Sequence, residues 1–257
     1  MKTLAEHWAF LEPALTVVGP DDDRPRPAVL LFHGCGGASP NLPRAYADAA
    51  AAAGWRAFLV DSYTPRGWSR AFAMATVCTG LLLHGSQRAG DVLAALYGIS
   101  QRPDVDTSKI ALAGWSHGGW SIMEAMSADC SGPLAGLSNP CNADLAGVRA
   151  VYLSYPYVGF AARNRMRPWR HCPKTLAVIS RGDHLTSVRN AEQVHAMVRN
   201  CGVEIETWIA DGTHAFDEPV VAPPMRHDAE LTAEAIRRFV ALLEDVAVAP
   251  PVLEPQA

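Results

Sequence analysis

No stretch of the sequence reaches the roughly 18 to 20 consecutive apolar residues that span a bilayer. An excess of either charge is also missing. Lys and Arg total 22 against 26 Asp and Glu, a formal net charge of -4. That balance supplies no field to draw nucleic acid or an anionic membrane, so neither is expected as a partner. The six cysteines, Cys35, Cys78, Cys130, Cys141, Cys172 and Cys201, contain no C-x-x-C pair. This excludes the spacing of the common zinc sites and of thioredoxin-like redox motifs. Scattered in this way, they read as free thiols of a reducing compartment, with the close pair Cys130 and Cys141 leaving a disulfide open. At the N-terminus, Glu6 and His7 stand where a signal peptide has its apolar stretch, which makes a cytoplasmic location the default. No internal repeat is visible.

What the chain does have is apolar material in alternating blocks. Its 257 residues, 49% hydrophobic and 19% charged, suit a single large α/β domain with a substantial core. Ala28 to Phe32 is a continuous apolar run, the pattern of a strand buried on both faces. Further strands are predicted over Arg56 to Val60, Lys109 to Ala113, Val148 to Ser154, Thr175 to Ser180 and Val203 to Ile209. Between them, helical patterns cover Leu42 to Ala53, Gln87 to Ile99, the residues from Ser116, Val188 to Arg199 and Ala229 to Leu243. The alternation predicts a doubly wound, mostly parallel sheet with helices on both faces. In such a sheet, ligands bind beyond the carboxyl ends of the strands, so chemistry is sought just after each strand. Residues 129–147 and 159–173 read as insertions that cap or wall the site, and residues 249–257 as a tail outside the fold.

Three strand ends carry the chemistry. Lys109 to Ala113 runs into Gly114-Trp115-Ser116-His117-Gly118-Gly119 and then a helix, the G-x-S-x-G elbow in its strand-turn-helix setting. A serine hydroxyl attacks poorly unless it is exposed, paired with a base and close to donors for an oxyanion, and the tight turn at a helix start meets those needs. Thr175 to Ser180 delivers Asp183, placed to orient a base, and position favours it over Asp211 and Asp217. The last strand delivers His214 as that base. The order Ser116, Asp183, His214 is that of the α/β-hydrolases. After the first buried strand comes His33-Gly34-Cys35-Gly36-Gly37. Backbone N–H groups of Cys35 or Gly36, with that of His117, are the candidate oxyanion hole, and His33 is read as a pin for the loop. Arg66, Trp115 and Tyr155 are candidate substrate contacts, as are arginines of residues 159–173 should the substrate be acidic.

With these segments and Asp61-Ser62-Tyr63-Thr64-Pro65-Arg66-Gly67, the chain resembles the dienelactone hydrolase family of α/β-hydrolases across roughly residues 28 to 243. The resemblance implies a small hydrolase that opens lactones or cleaves esters, with no metal or organic cofactor. Members that open dienelactone use a cysteine nucleophile, whereas this chain has Ser116, which implies a broader esterase role. A peptidase or acyltransferase on the same three residues, and a non-catalytic binding protein of the same fold, are the alternatives.

Overall fold

A computed structural model describes residues 1–38, 42–128, 135–162 and 167–248. In chain order the elements are α1 (Leu4–Leu11), β1 (Thr16–Val18), β2 (Arg26–Phe32), α2 (Arg44–Ala52), β3 (Arg56–Val60), α3 (Arg70–Thr76), α4 (Gly85–Ile99) and β4 (Val105–Trp115). Then follow α5 (His117–Met126), β5 (Val148–Ser154), β6 (Lys174–Gly182), α6 (Val188–Asn200), β7 (Ile205–Thr213) and α7 (Ala229–Val248). The strands form one sheet in the order β1-β3-β2-β4-β5-β6-β7. Only β1 pairs antiparallel; the other neighbours are parallel.

Alternation along β2 shows why both faces of the sheet must be covered. Leu30 and Phe32 enter one buried cluster with Val92 and Leu96 of α4 and Ile122 and Met126 of α5. Val29 and Leu31 enter the other, with Tyr46 of α2 and Phe239 and Leu243 of α7. Successive side chains of a strand point to opposite faces, so a run that is apolar at every position demands a helix layer on each side. The fold class expected from the sequence is the one observed.

Three elements fall outside the predicted set. The capping box of α1 is legible in Thr3 and Glu6, whose side chains exchange bonds with each other's backbone. Its Trp8 packs so closely on Gly98 of α4 that a Cβ there would lie 2.0 Å from the indole. The three-residue β1 and seven-residue α3 are too short to generate a periodic signal.

The cysteines require a correction. Cys35 is bonded to Cys78 across 43 residues, because the segment after α3 folds back over the loop that follows β2. Cys141 is disulfide-bonded as well, while Cys172 and Cys201 are free thiols. Cys130 lies outside the described residues, as do parts of both predicted insertions (residues 129–134 and 163–166) and the tail 249–257. No helix among the described residues is long and apolar enough to cross a membrane.

Candidate active site

The end of β4 and the start of α5 hold Ser116 in a conformation that few non-glycine residues adopt, φ 50° and ψ -110°. The turn is tight enough to dictate its flanks. A Cβ on Gly114 would lie 2.6 Å from the Gly119 nitrogen, and one on Gly118 would lie 2.1 Å from the Phe32 carbonyl oxygen. Side chains at these two positions would push the elbow open, so glycine is required at both.

Parallel pairing of β6 with β7 sets Gly182 beside Thr213, and the residues that follow them meet. Asp183 Oδ2 lies 2.7 Å from His214 Nδ1, and His214 Nε2 lies 2.9 Å from Ser116 Oγ. A carboxylate only accepts, so Nδ1 carries the ring proton and Nε2 is left to accept from the serine hydroxyl. Asp183 is itself fixed by the N–H groups of Leu185 and Thr186, which donate to its Oδ1. The two weaker acid candidates lie elsewhere. Asp211 is exposed beside Arg181, and Asp217 is buried among three other donors.

The glycine loop lies against the elbow, where a Cβ on Gly34 would come within 3.8 Å of the Ser116 Cβ. Gly34, Cys35 and Gly36 line the same cavity as Ser116. The His117 N–H opens α5, and the first N–H groups of a helix have no partner within it. His33 pins the loop by both ring nitrogens. Its Nε2 accepts from the Ser62 N–H at 3.1 Å, so Nδ1 donates to the Gly34 carbonyl at 2.7 Å. Burial and the nearby Arg88 charge push its pKa down to about 3, which keeps the ring neutral as this pattern needs.

The supporting roles of two buried groups escaped the sequence reading. Arg88 of α4 is fully buried and donates to Ser62 Oγ, the His33 carbonyl and His117 Nδ1, tying three strand ends together. Its signal was positional: it falls on the apolar stripe of α4 with Val92, Leu96 and Ile99. Asp217 accepts from Tyr46 Oη, Trp115 Nε1 and Tyr155 Oη.

Trp115 and Tyr155 do line the cavity, but Arg66 does not. Arg66 is committed to the fully buried Asp91 through two donors, Nη1 at 3.0 Å and Nη2 at 2.8 Å, which turns it away from the site. Arg167 and Arg170 are not on the lining either, and Arg163 and Arg165 lie outside the described residues. Arg70, Met74, Leu185, Val220 and Met225 take the places at the mouth. No group of three or more metal-ligating side chains occurs among the described residues.

Residues 14–133 match the family model of the dienelactone hydrolase family. No curated protein matches the sequence. Among solved structures, the chain is similar to esterase 2 of Thermogutta terrifontis, phosphorylated by paraoxon, at 16% identity and TM-score 0.68, covering 94% of this chain and 90% of that one. It is similar to a dienelactone hydrolase-like promiscuous phosphotriesterase from metagenomic libraries at 18% identity and TM-score 0.68, covering 90% and 98%. A sugar hydrolase from Lactococcus lactis follows at 14% identity and TM-score 0.65, covering 91% and 94%. At such identities these structures establish the fold, that of the α/β-hydrolases.

Proposed function

We propose, from the premise that the chain is a dienelactone hydrolase-like α/β-hydrolase, that it hydrolyses carboxylic esters or lactones through an acyl-enzyme on Ser116. The observation that carries this reading is the pair of contacts made by one imidazole, 2.7 Å to Asp183 and 2.9 Å to Ser116 Oγ. His214 Nε2 takes the hydroxyl proton as Oγ attacks the acyl carbon. The carbonyl oxygen becomes an oxyanion facing the backbone N–H groups of His117 and of Cys35 or Gly36, and each such donor contributes about 10²- to 10³-fold in rate. The protonated His214 then gives its proton to the departing alkoxide, and the C–O bond to the alcohol breaks. Water, deprotonated by the same nitrogen, attacks the acyl-enzyme and releases the acid. Asp183 holds the tautomer and stabilises the transient imidazolium. No metal or organic cofactor enters these steps.

The esterase of Thermogutta terrifontis is phosphorylated by an organophosphate, and the same class of reagent supplies the test. A fluorophosphonate should label the protein one to one, and Ser116→Ala should abolish labelling and lower p-nitrophenyl acetate turnover by about 10⁴-fold or more. Labelling that persists in Ser116→Ala would sink the assignment. The N-terminal residues and the scattered cysteines give a cytoplasmic default. A disulfide at the edge of the site favours an oxidising compartment instead.

A further inference from the structure

Two cavities of unequal size meet at Ser116. The larger, about 520 Å³, is lined by His214 and Ala215 together with Met74, Val220, Val221 and Met225. The smaller, about 130 Å³, is lined by His117, Trp120, Tyr157, Ala161 and Gly80. Cys35, Cys78, Ser116 and Leu185 border both, so the disulfide and Leu185 form a waist between them.

The chemistry assigns the two halves of an ester to these two spaces. The leaving alkoxide must receive its proton from His214 Nε2, so the alcohol oxygen stands beside His214. Its substituent then extends into the cavity that His214 lines, which is the larger one. The acyl carbon is bonded to Ser116 Oγ, with its oxygen turned to the His117 N–H. The acyl chain therefore leaves along the smaller cavity, which His117 lines and His214 does not. The smaller space, which opens to solvent at Ala161, has room between Trp120 and Tyr157 for about the first two to four carbons of an acyl chain, on the scale of about 150 Å³ for a benzene-sized cavity. The larger falls within the range of about 300 to 1,000 Å³ typical of pockets for drug-sized ligands.

The larger wall is mainly apolar, with one side chain of each charge, Arg70 and Glu218, on its lining. Its outer edge is apolar and open to solvent, with Met74, Leu185 and Val220 at 45%, 47% and 70% exposure. We infer that the site takes short-chain acyl esters of bulky, apolar alcohols. This selectivity rests on the acyl-enzyme reading above.

Two esters of alkyl alcohols with similar leaving-group strength separate the halves: 2-(2-naphthyl)ethyl acetate and ethyl octanoate, followed by acid release. The first should exceed the second in kcat/KM by about 30-fold or more, in keeping with the worth of a few methylenes in a fitted pocket. Equal rates or the reverse order would overturn the inference. Ala161→Leu, at an exposed position, should lower butyrate against acetate esters of the same alcohol by about tenfold. Val220→Asp should lower the naphthylethyl ester about tenfold more than ethyl acetate. If either variant moves the two halves together, the assignment of cavities is wrong. Fluorophosphonate titration on the same samples separates the two levels of failure. Absent labelling overturns the acyl-enzyme reading, whereas full labelling with inverted selectivity overturns only the assignment of halves.

Discussion

Arg88 and Asp217 are both buried beside Ser116, on opposite sides of it, one a base and the other an acid. Arg88, with no exposure, lies under the glycine loop that follows β2 and fastens His33, Ser62 and His117. Asp217, 2% exposed, lies on the His214 side. There it gathers Tyr46, Trp115 and Tyr155, and the Tyr155 ring stands 4.8 Å from that of His214. In the proposed acyl transfer negative charge grows on the oxyanion and positive charge on His214. A cation is thus buried under the first and a carboxyl beside the second. Preorganised groups of this kind act in a low-dielectric interior without reorganising during the reaction. The sides also differ in attachment. The basic side is tied covalently by Cys35 and Cys78, whereas the acidic side relies on Asp217 following His214 closely in the chain.

Removing the cation breaks this comparison most severely. Arg88→Met leaves the His33 carbonyl, Ser62 Oγ and His117 Nδ1 without their donor, and should destabilise the fold by about 3 to 5 kcal/mol. Among molecules that remain folded, kcat should fall by about 10²-fold with KM little changed, because the charge acts on the transition state. Urea unfolding and steady-state kinetics on one preparation check both. Arg88→Lys should recover part of kcat if the charge matters, and none if only the guanidinium fork does.

Opening the covalent tie comes next. Closing a loop of 43 residues is worth about 4 kcal/mol in the chain-entropy account. Cys78→Ser, or reduction of the native protein, should cost about that much stability. It should also lower kcat several-fold, because the loop that carries Cys35 and Gly36 gains freedom. Unchanged kcat in the reduced protein would show that His33 and Arg88 alone position the loop.

Buried histidines also set an acid limit. Burial holds His33 on the basic side down at about 3 and pushes His117 there well below its ordinary value, and it holds His195 of α6, against Thr207 of β7, at about 4. Folded-state values below the unfolded one mean that unfolding takes up protons. The stability of the neutral rings is complete above pH 6.5 and is lost as pH falls from there through about 4 to 3. Each ring should contribute a slope of about 1.4 kcal/mol per pH unit in that window. Urea midpoints between pH 7 and 4 would test this, and a flat profile would show that these rings are hydrated or already charged.

What the sequence revealed and what it hid divide along the same comparison. The meeting of Ser116, Asp183 and His214 was legible because each follows a strong apolar strand, and a parallel sheet brings such ends to one edge. The helices α4, α6 and α7 were legible from long periodic patterns. The supporting groups lacked such marks. An arginine on an amphipathic helix is ordinarily solvated, and nothing in one sequence says that Arg88 faces inward. Asp217 gained its role from Tyr46, 171 residues away, and Trp115, 102 residues away. Cys35 and Cys78 were hidden by the unpredicted α3, and Arg66 was misplaced because its partner Asp91 sits on the buried face of α4. Local pattern locates the side chains that meet at the strand ends, while their support is set by tertiary contacts.

The smallest change, Asp217→Asn, sharpens the comparison because stability and activity should move in opposite directions. Burial raises the Asp217 pKa above 3.8, so the folded state favours the neutral carboxyl and ionisation opposes folding. That penalty is absent below about pH 3.8 and complete above the raised value. An amide of the same size escapes it, so stability relative to the native protein should increase as pH rises from 4 to 7.5. The amide also replaces one accepting oxygen with a donor. It therefore loosens Trp115 beside Ser116 or Tyr155 beside His214. A loss of about 1 kcal/mol in transition-state stabilisation corresponds to a fall of about fivefold in kcat. Urea unfolding at the two pH values, with kcat at pH 7.5, decides the matter. A variant that gains relative stability with pH and keeps full kcat would leave Asp217 as packing alone. One that loses kcat as expected makes it the acidic counterpart of Arg88.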